Sequence, residues 1–189
     1  MNQKVKFGEI CKNISDRIND PSLAETDCYV GLEHLESDEP KIMNHGIPED
    51  VEATKLKFKP NQILFGKRRW YQRKLAVTEQ REGICSAHML VLEAIEGKII
   101  KEFLPYFMQT DQFFEQGLMI SEGSLSPTIK WRNLEKLKFL IPSIPKQKTI
   151  IKIMQQTDDH ILKTQNLLEK THKYLQARQE EIFSNMLVD

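Results

Sequence analysis

Five apolar residues recur at intervals of seven in the last part of the chain, Met154, Ile161, Leu168, Leu175 and Ile182, and no other feature constrains the fold as strongly. Residues seven apart lie on nearly the same side of a helix after two turns. Ile153, Leu167 and Tyr174 stand beside this stripe, and Thr157, Thr164 and Thr171 form a neighbouring seam. Proline is tolerated at a helix start but not inside, so Pro142 and Pro145 mark where the segment begins; neither glycine nor proline interrupts it afterwards. The spacing predicts a dimerisation or spacer helix over 146–189, on the order of 60 Å long at about 1.5 Å per residue. Such a rod exceeds the roughly 30 Å diameter of a domain the size of the preceding segment, so much of the stripe requires a second helix. Threonine makes a looser seam than leucine or isoleucine, which suits a helix with a defined partner better than an autonomous zipper.

Residues 1–145 read as a mixed α and β domain. β-type runs occur at Thr26 to Leu32, Gln62 to Phe65, Leu75 to Thr78, Ile84 to Leu92 and Leu137 to Ile141, with polar turns at Gly66, Gly83 and Gly97. One amphipathic helix is expected over Lys101 to Gln116, starting near Pro105. The fold class expected is α+β: a mixed β-sheet domain followed by one long coiled-coil-type helix.

The 189 residues include 27 Lys+Arg and 27 Asp+Glu, which cancel. A zero net charge argues against an indiscriminate nucleic-acid binder or a polybasic membrane-surface protein. No apolar run approaches the ~18–20 residues needed to span a bilayer, and Met1 to Ile10 has no signal-peptide character, so a cytoplasmic protein is expected. Cys11, Cys28 and Cys85 are too few and too scattered for a disulfide framework or a zinc site, and the five histidines are dispersed. Cys85-Ser86-Ala87-His88 places a thiol near an imidazole in sequence, but alternation along a strand separates such neighbours. No catalytic or metal-binding residue is assigned.

The neutral total conceals segregation. From Glu25 to Glu52 there are nine acids and one base; from Lys55 to Lys74 there are eight bases and no acid. Five of those eight fall within Lys67-Arg68-Arg69-Trp70-Tyr71-Gln72-Arg73-Lys74, after the strand Ile63-Leu64-Phe65 and its turn at Gly66. Guanidinium groups bind phosphate or the guanine edge in two-pronged fashion, aromatic rings stack or hydrogen-bond, and Gln72 is of a type that reads adenine. Carried on a strand-turn-strand, the octet points to nucleic acid as ligand, through Lys67, Arg68, Arg69, Tyr71, Gln72, Arg73 and Lys74. A second segment, Ser121 to Trp131, offers Ser124, Ser126, Thr128 and Lys130, whose hydroxyls and charge suit phosphate contacts but also an ordinary surface turn.

Five segments in order resemble specificity subunits of type I restriction-modification systems: Tyr29 to Glu36, Ile63 to Arg69, Ile84 to Leu92, Ser121 to Trp131, and Phe139-Leu140-Ile141-Pro142 ahead of a long helix. The resemblance covers nearly the whole chain. It implies a target recognition domain that reads a few base pairs of double-stranded DNA, with a helix that spaces it and docks methyltransferase subunits. The implied chain is non-catalytic; S-adenosylmethionine, ATP and magnesium belong to the partner methyltransferase and restriction/translocase subunits, in a bacterial or archaeal cytoplasm. Two departures stand out. Family members usually carry two recognition domains and two long helices, whereas this chain has one of each; its helix is then expected to pair with a second copy, presenting two recognition domains to a two-part site, unless the chain is a piece of a longer subunit. The junction Pro145-Lys146-Gln147 also lacks the acidic residue usual before the glutamine.

Two other readings compete. A protein-interaction adaptor would use the helix for its function and the basic loop for an acidic partner. A methyltransferase or nuclease in its own right would need a Gly-rich cofactor loop, an Asn/Asp-Pro-Pro-aromatic motif or an Asp…Glu-x-Lys motif, and the sequence has none.

Overall fold

A computed structural model describes residues 2–37 and 39–186. The chain divides into two compact units, Met1–Lys148 and Thr149–Asp189. In the first, strands β2 (Cys11–Ile14), β9 (Met89–Ala94), β6 (Ile63–Gly66) and β7 (Leu75–Val77) form one sheet in that order. A second sheet has the order β3 (Arg17–Ile18), β5 (Lys55–Phe58), β8 (Gly83–Ser86) and β4 (Tyr29–Val30). All pairings are antiparallel except β4 with β8, and β1 (Gln3–Lys6) pairs separately with β10 (Lys138–Ile141).

Four times the chain passes directly from one sheet to the other: β2 to β3, β5 to β6, β7 to β8, and β8 to β9. The expected single strand over Ile84 to Leu92 is therefore two, broken where Ser86 Oγ accepts the His88 backbone N–H at 3.2 Å. The apolar side chains of both sheets meet in one cluster, including Val30, Leu56 and Cys85 from one and Leu64, Ala76 and Val91 from the other. Burial there pushes the Cys85 thiol up to about 12, so it forms no thiolate nucleophile near neutral pH.

A second, aromatic cluster packs Phe65 and Trp70 against Phe113 and Phe114, with Phe7, Phe107 and Phe139 joining through Phe113. The single helix expected over Lys101 to Gln116 is instead α1 (Phe103–Met108) and α2 (Asp111–Met119). Thr110 divides them: its backbone is extended, and its hydroxyl accepts the Phe113 N–H, capping the second helix. Pro105 sits inside α1, in the first turns where its missing N–H costs least. The run expected at Thr26 to Leu32 is strand only at Tyr29–Val30, whose Tyr29 exchanges two backbone hydrogen bonds with Gly46.

Helix α3 is a single turn, Trp131–Leu134, and α4 spans Ile144–Met186; the expected continuation over 187–189 lies outside the described residues. Its start is fixed by Gln147, which is buried, accepts the Ile100 backbone N–H at 2.9 Å and donates to the Pro142 carbonyl at 2.8 Å. No acidic neighbour takes part in these contacts. In the second unit, Met154, Ile161, Leu168, Leu175 and Ile182 are all exposed, between 36% and 57%. Thr157, Thr164 and Thr171 donate to the carbonyls of Ile153, His160 and Leu167, at 3.0, 2.8 and 2.9 Å. No described helix is long and apolar enough to cross a membrane.

Candidate nucleic-acid interface

The basic octet joins β6 to β7, as a loop held on an antiparallel pair. Its centre, Trp70–Gln72, is one turn of 3-10 helix bracketed by Arg69 at φ 56° and Arg73 at φ 50°. Both arginines occupy the left-handed region, which non-glycine residues enter only when their surroundings hold them there. Trp70 provides that hold. It is 1% exposed, its Nε1 donates to the Phe114 carbonyl at 2.9 Å, and its ring lies against Gly117, where any Cβ would sit 2.0 Å from Cζ2. The indole is thus the anchor of the loop and not a ring offered to a ligand, whereas Tyr71 beside it is exposed.

The segment Ser121 to Trp131 forms a small hairpin. Glu122 and Thr128 exchange backbone hydrogen bonds at 2.9 and 3.0 Å, and Gly123 turns the chain at φ 100°. Glu122 accepts from Lys130 Nζ at 2.5 Å and Asn133 Nδ2 at 3.1 Å, and Lys130 is the main cause holding its carboxyl below the ordinary range. Lys130 is therefore ion-paired, while Ser124 stays exposed near the tip.

These two segments lie side by side. The Arg69 N–H donates to the Pro127 carbonyl at 2.8 Å, the Ile129 N–H donates to the Lys67 carbonyl at 2.9 Å, and Arg68 pairs with Thr128 as an antiparallel bridge. Above this backbone seam Arg68 Nε donates to Ser126 Oγ at 3.0 Å. The turn between β8 and β9 completes the group: the Lys67 N–H donates to the His88 carbonyl at 3.1 Å, and Arg68 Nη1 stands 3.5 Å from His88 Nε2. Partial burial first, then the Arg68 and Lys67 charges, holds the His88 imidazole below its ordinary value.

Lys67, Arg68, Ser126 and Thr128 are brought together, with Arg69 and Lys130 on the same two segments. Arg73 and Lys74 turn elsewhere. Arg73 pairs with Asp111 at 2.6 Å and lies over the Phe114 ring at 4.8 Å, so it fastens the loop to α2. Lys74 Nζ donates to the Leu32 carbonyl at 2.9 Å. Gln72 is half-buried and its carbonyl accepts from Ser37 Oγ at 2.7 Å. His88 was not among the residues expected at the site; its position two residues beyond a strand end, in a turn, was hidden by reading β8 and β9 as one strand. Among the described residues no group of three or more His, Cys, Asp or Glu side chains is placed to hold a metal ion.

Residues 4–170 match the family model for the type I restriction modification DNA specificity domain. The chain is 24% identical over 154 residues to the type I restriction enzyme EcoDI specificity subunit of Escherichia coli, covering 80% of this chain and 34% of that protein. Among solved structures, it resembles the HsdS subunit from Thermoanaerobacter tengcongensis, with a TM-score of 0.70 at 18% identity over 88% of this chain and 44% of that one. A chain from work on complex assembly and conformational transition of the type I R-M system matches with a TM-score of 0.69 at 19% identity, covering 91% of this chain and 46% of that one. This chain thus spans about a third of the curated relative and under half of each solved one. The family model covers most of the chain, and the sheets and long helix are those of the HsdS fold, so the chain belongs to the type I restriction modification DNA specificity domain family.

Proposed function

We propose that this chain reads double-stranded DNA for a type I restriction-modification complex, as a specificity subunit without chemistry of its own. The observation that carries the proposal is the joining of the basic octet to the Ser121 to Trp131 hairpin, with Arg68 held by Ser126 on a surface that also carries Lys67, Arg69 and His88. A guanidinium positioned by a hydroxyl loses less freedom on binding and keeps other N–H groups for phosphate or a base edge. Ser124, Thr128, Tyr71 and Lys130, on the same two joined segments, supply further contacts.

In this reading α4 pairs with the α4 of a second copy through Met154, Ile161, Leu168, Leu175 and Ile182. Support comes from their exposure along one stripe and from the three threonine hydroxyls, which already donate within the helix and so would not be stranded by burial. The paired helices space two recognition domains over a two-part site and offer a docking surface to methyltransferase subunits, with a restriction/translocase subunit acting on unmodified DNA. S-adenosylmethionine, ATP and magnesium serve those subunits, and the assembly works in the cytoplasm, where the DNA is. Family membership does not favour the adaptor reading.

Selection from a randomised duplex pool tests this. Enrichment of a defined pattern by the wild-type chain, alone or with its methyltransferase subunit, is the expected result. Retention without any enriched pattern would contradict it.

A further inference from the structure

A cleft of about 480 Å³ opens between the β2–β3 segment and the 128–131 stretch of the hairpin. Arg17 and Lys67 line it together with the hydroxyl residues Ser15, Thr54 and Thr128, and no carboxylate lines it. Lys130, at its rim, is already paired with Glu122. Lys67 and Arg17 have no ion-pair partner among the described residues. Their charges instead act on each other: half-burial and the nearby Arg17 guanidinium lower the Lys67 ammonium from its ordinary value. Two like charges lining one cleft are a standing cost to the free protein, and an anion seated between them would remove it. The cleft adjoins the surface already described, because Lys67 precedes Arg68 and Thr128 is the residue that Arg68 bridges.

We infer that this cleft is a phosphate seat, in which Arg17 and Lys67 grip one phosphodiester of the duplex and Ser15 donates a hydroxyl hydrogen bond to it, the Thr54 and Thr128 hydroxyls being engaged already by Asn19 and the Ser126 carbonyl. The inference rests on the DNA-reading function proposed above and adds a division of labour to it. The cleft fixes register on the backbone without reading sequence, and the Arg68 surface does the reading.

The test is a salt titration of binding to a random-sequence 30-base-pair duplex, followed by fluorescence anisotropy, with the full chain. Each neutralised phosphate contributes about 0.9 to the slope of log affinity against log salt. Arg17→Gln and Lys67→Met are each expected to weaken binding by roughly three- to tenfold near 0.1 M salt and to reduce the slope by about one. Because the phosphate is seated only while both cations hold it, losing either forfeits the contact, and the double variant should lose little more slope than either single one. Thermal unfolding of the free variants should show no loss of stability, since each change relieves repulsion. Unchanged slopes in both folded variants, while Arg68→Ala still weakens binding, would overturn the phosphate seat and leave the DNA-reading function standing. Slope losses that add in the double variant would overturn the shared phosphate. A wild-type chain with no salt-dependent affinity for duplex DNA would overturn both proposals.

Discussion

Arg68 and Ser126 stand 58 positions apart in sequence and 3.0 Å apart in the fold, the guanidinium Nε donating to the hydroxyl oxygen. The contact sits above a backbone seam made by Lys67, Arg69, Pro127 and Ile129, so the arginine is held at both its main chain and its side chain. Arg68→Ala should weaken binding to the selected duplex by about 1–3 kcal/mol and relax preference at one position if it reads a base; a phosphate contact would instead lower the salt slope by roughly one. Ser126→Ala removes only the orienting hydroxyl and should cost less, about 0.5–1.5 kcal/mol. Competition anisotropy against duplexes altered one base pair at a time separates these cases.

The loop depends on Trp70, whose ring fills the space over Gly117. Trp70→Ala should lower unfolding stability by about 3–5 kcal/mol through loss of a buried aromatic anchor. Gly117→Ala should cost about 1–3 kcal/mol, since a methyl group there collides with the indole. Urea unfolding measures both, and both variants should lose DNA affinity although neither residue faces the ligand.

On the proposed function, His88 should make DNA binding sensitive to pH. In the free protein its imidazole is held below the ordinary value of 6.5, so it is largely neutral at pH 7. DNA phosphates offset the Arg68 and Lys67 charges and raise it, so the complex takes up a proton and affinity should rise as pH falls from about 7.5 to 5.5. Fold stability should move in the opposite direction. A depressed folded value means the unfolded chain binds the proton first, so stability falls as pH drops below about 6.5. His88→Gln should flatten both dependences, as read by anisotropy and thermal melts over that range.

The exposed stripe of α4 is expected to bring two copies together. Light scattering should give twice the 22.1 kDa chain mass, and Leu168→Glu with Leu175→Glu should return it to one. A wild-type chain that scatters as a monomer would mean that the stripe awaits a different helix.

The long helix and the octet were legible because each is local. Seven-residue spacing needs no tertiary information, and a charge run between two β-type runs reads directly as a loop on a hairpin. From sequence alone the octet's aromatics look available for stacking; the burial of Trp70 depends on α2, where Gly117 leaves room for the ring, and that pairing is not visible in either segment alone. Strands β1, β2, β3 and β5 went unread: Gln3–Lys6, Cys11–Ile14 and Lys55–Phe58 are short and mix apolar with lysine or asparagine, and their ladders form with distant partners. Arg17 escaped notice for the same reason, since only the pairing of β3 with β5 brings it to the cleft with Lys67.

On the proposed function, this chain chooses the DNA sequence on which its complex acts. Mapping methylated adenines in cells that carry the methyltransferase subunit, with and without this chain, tests it most directly. Modification at one symmetric two-part sequence, disappearing when the chain is removed, is the expected result. An unchanged methylation pattern in its absence would contradict the claim.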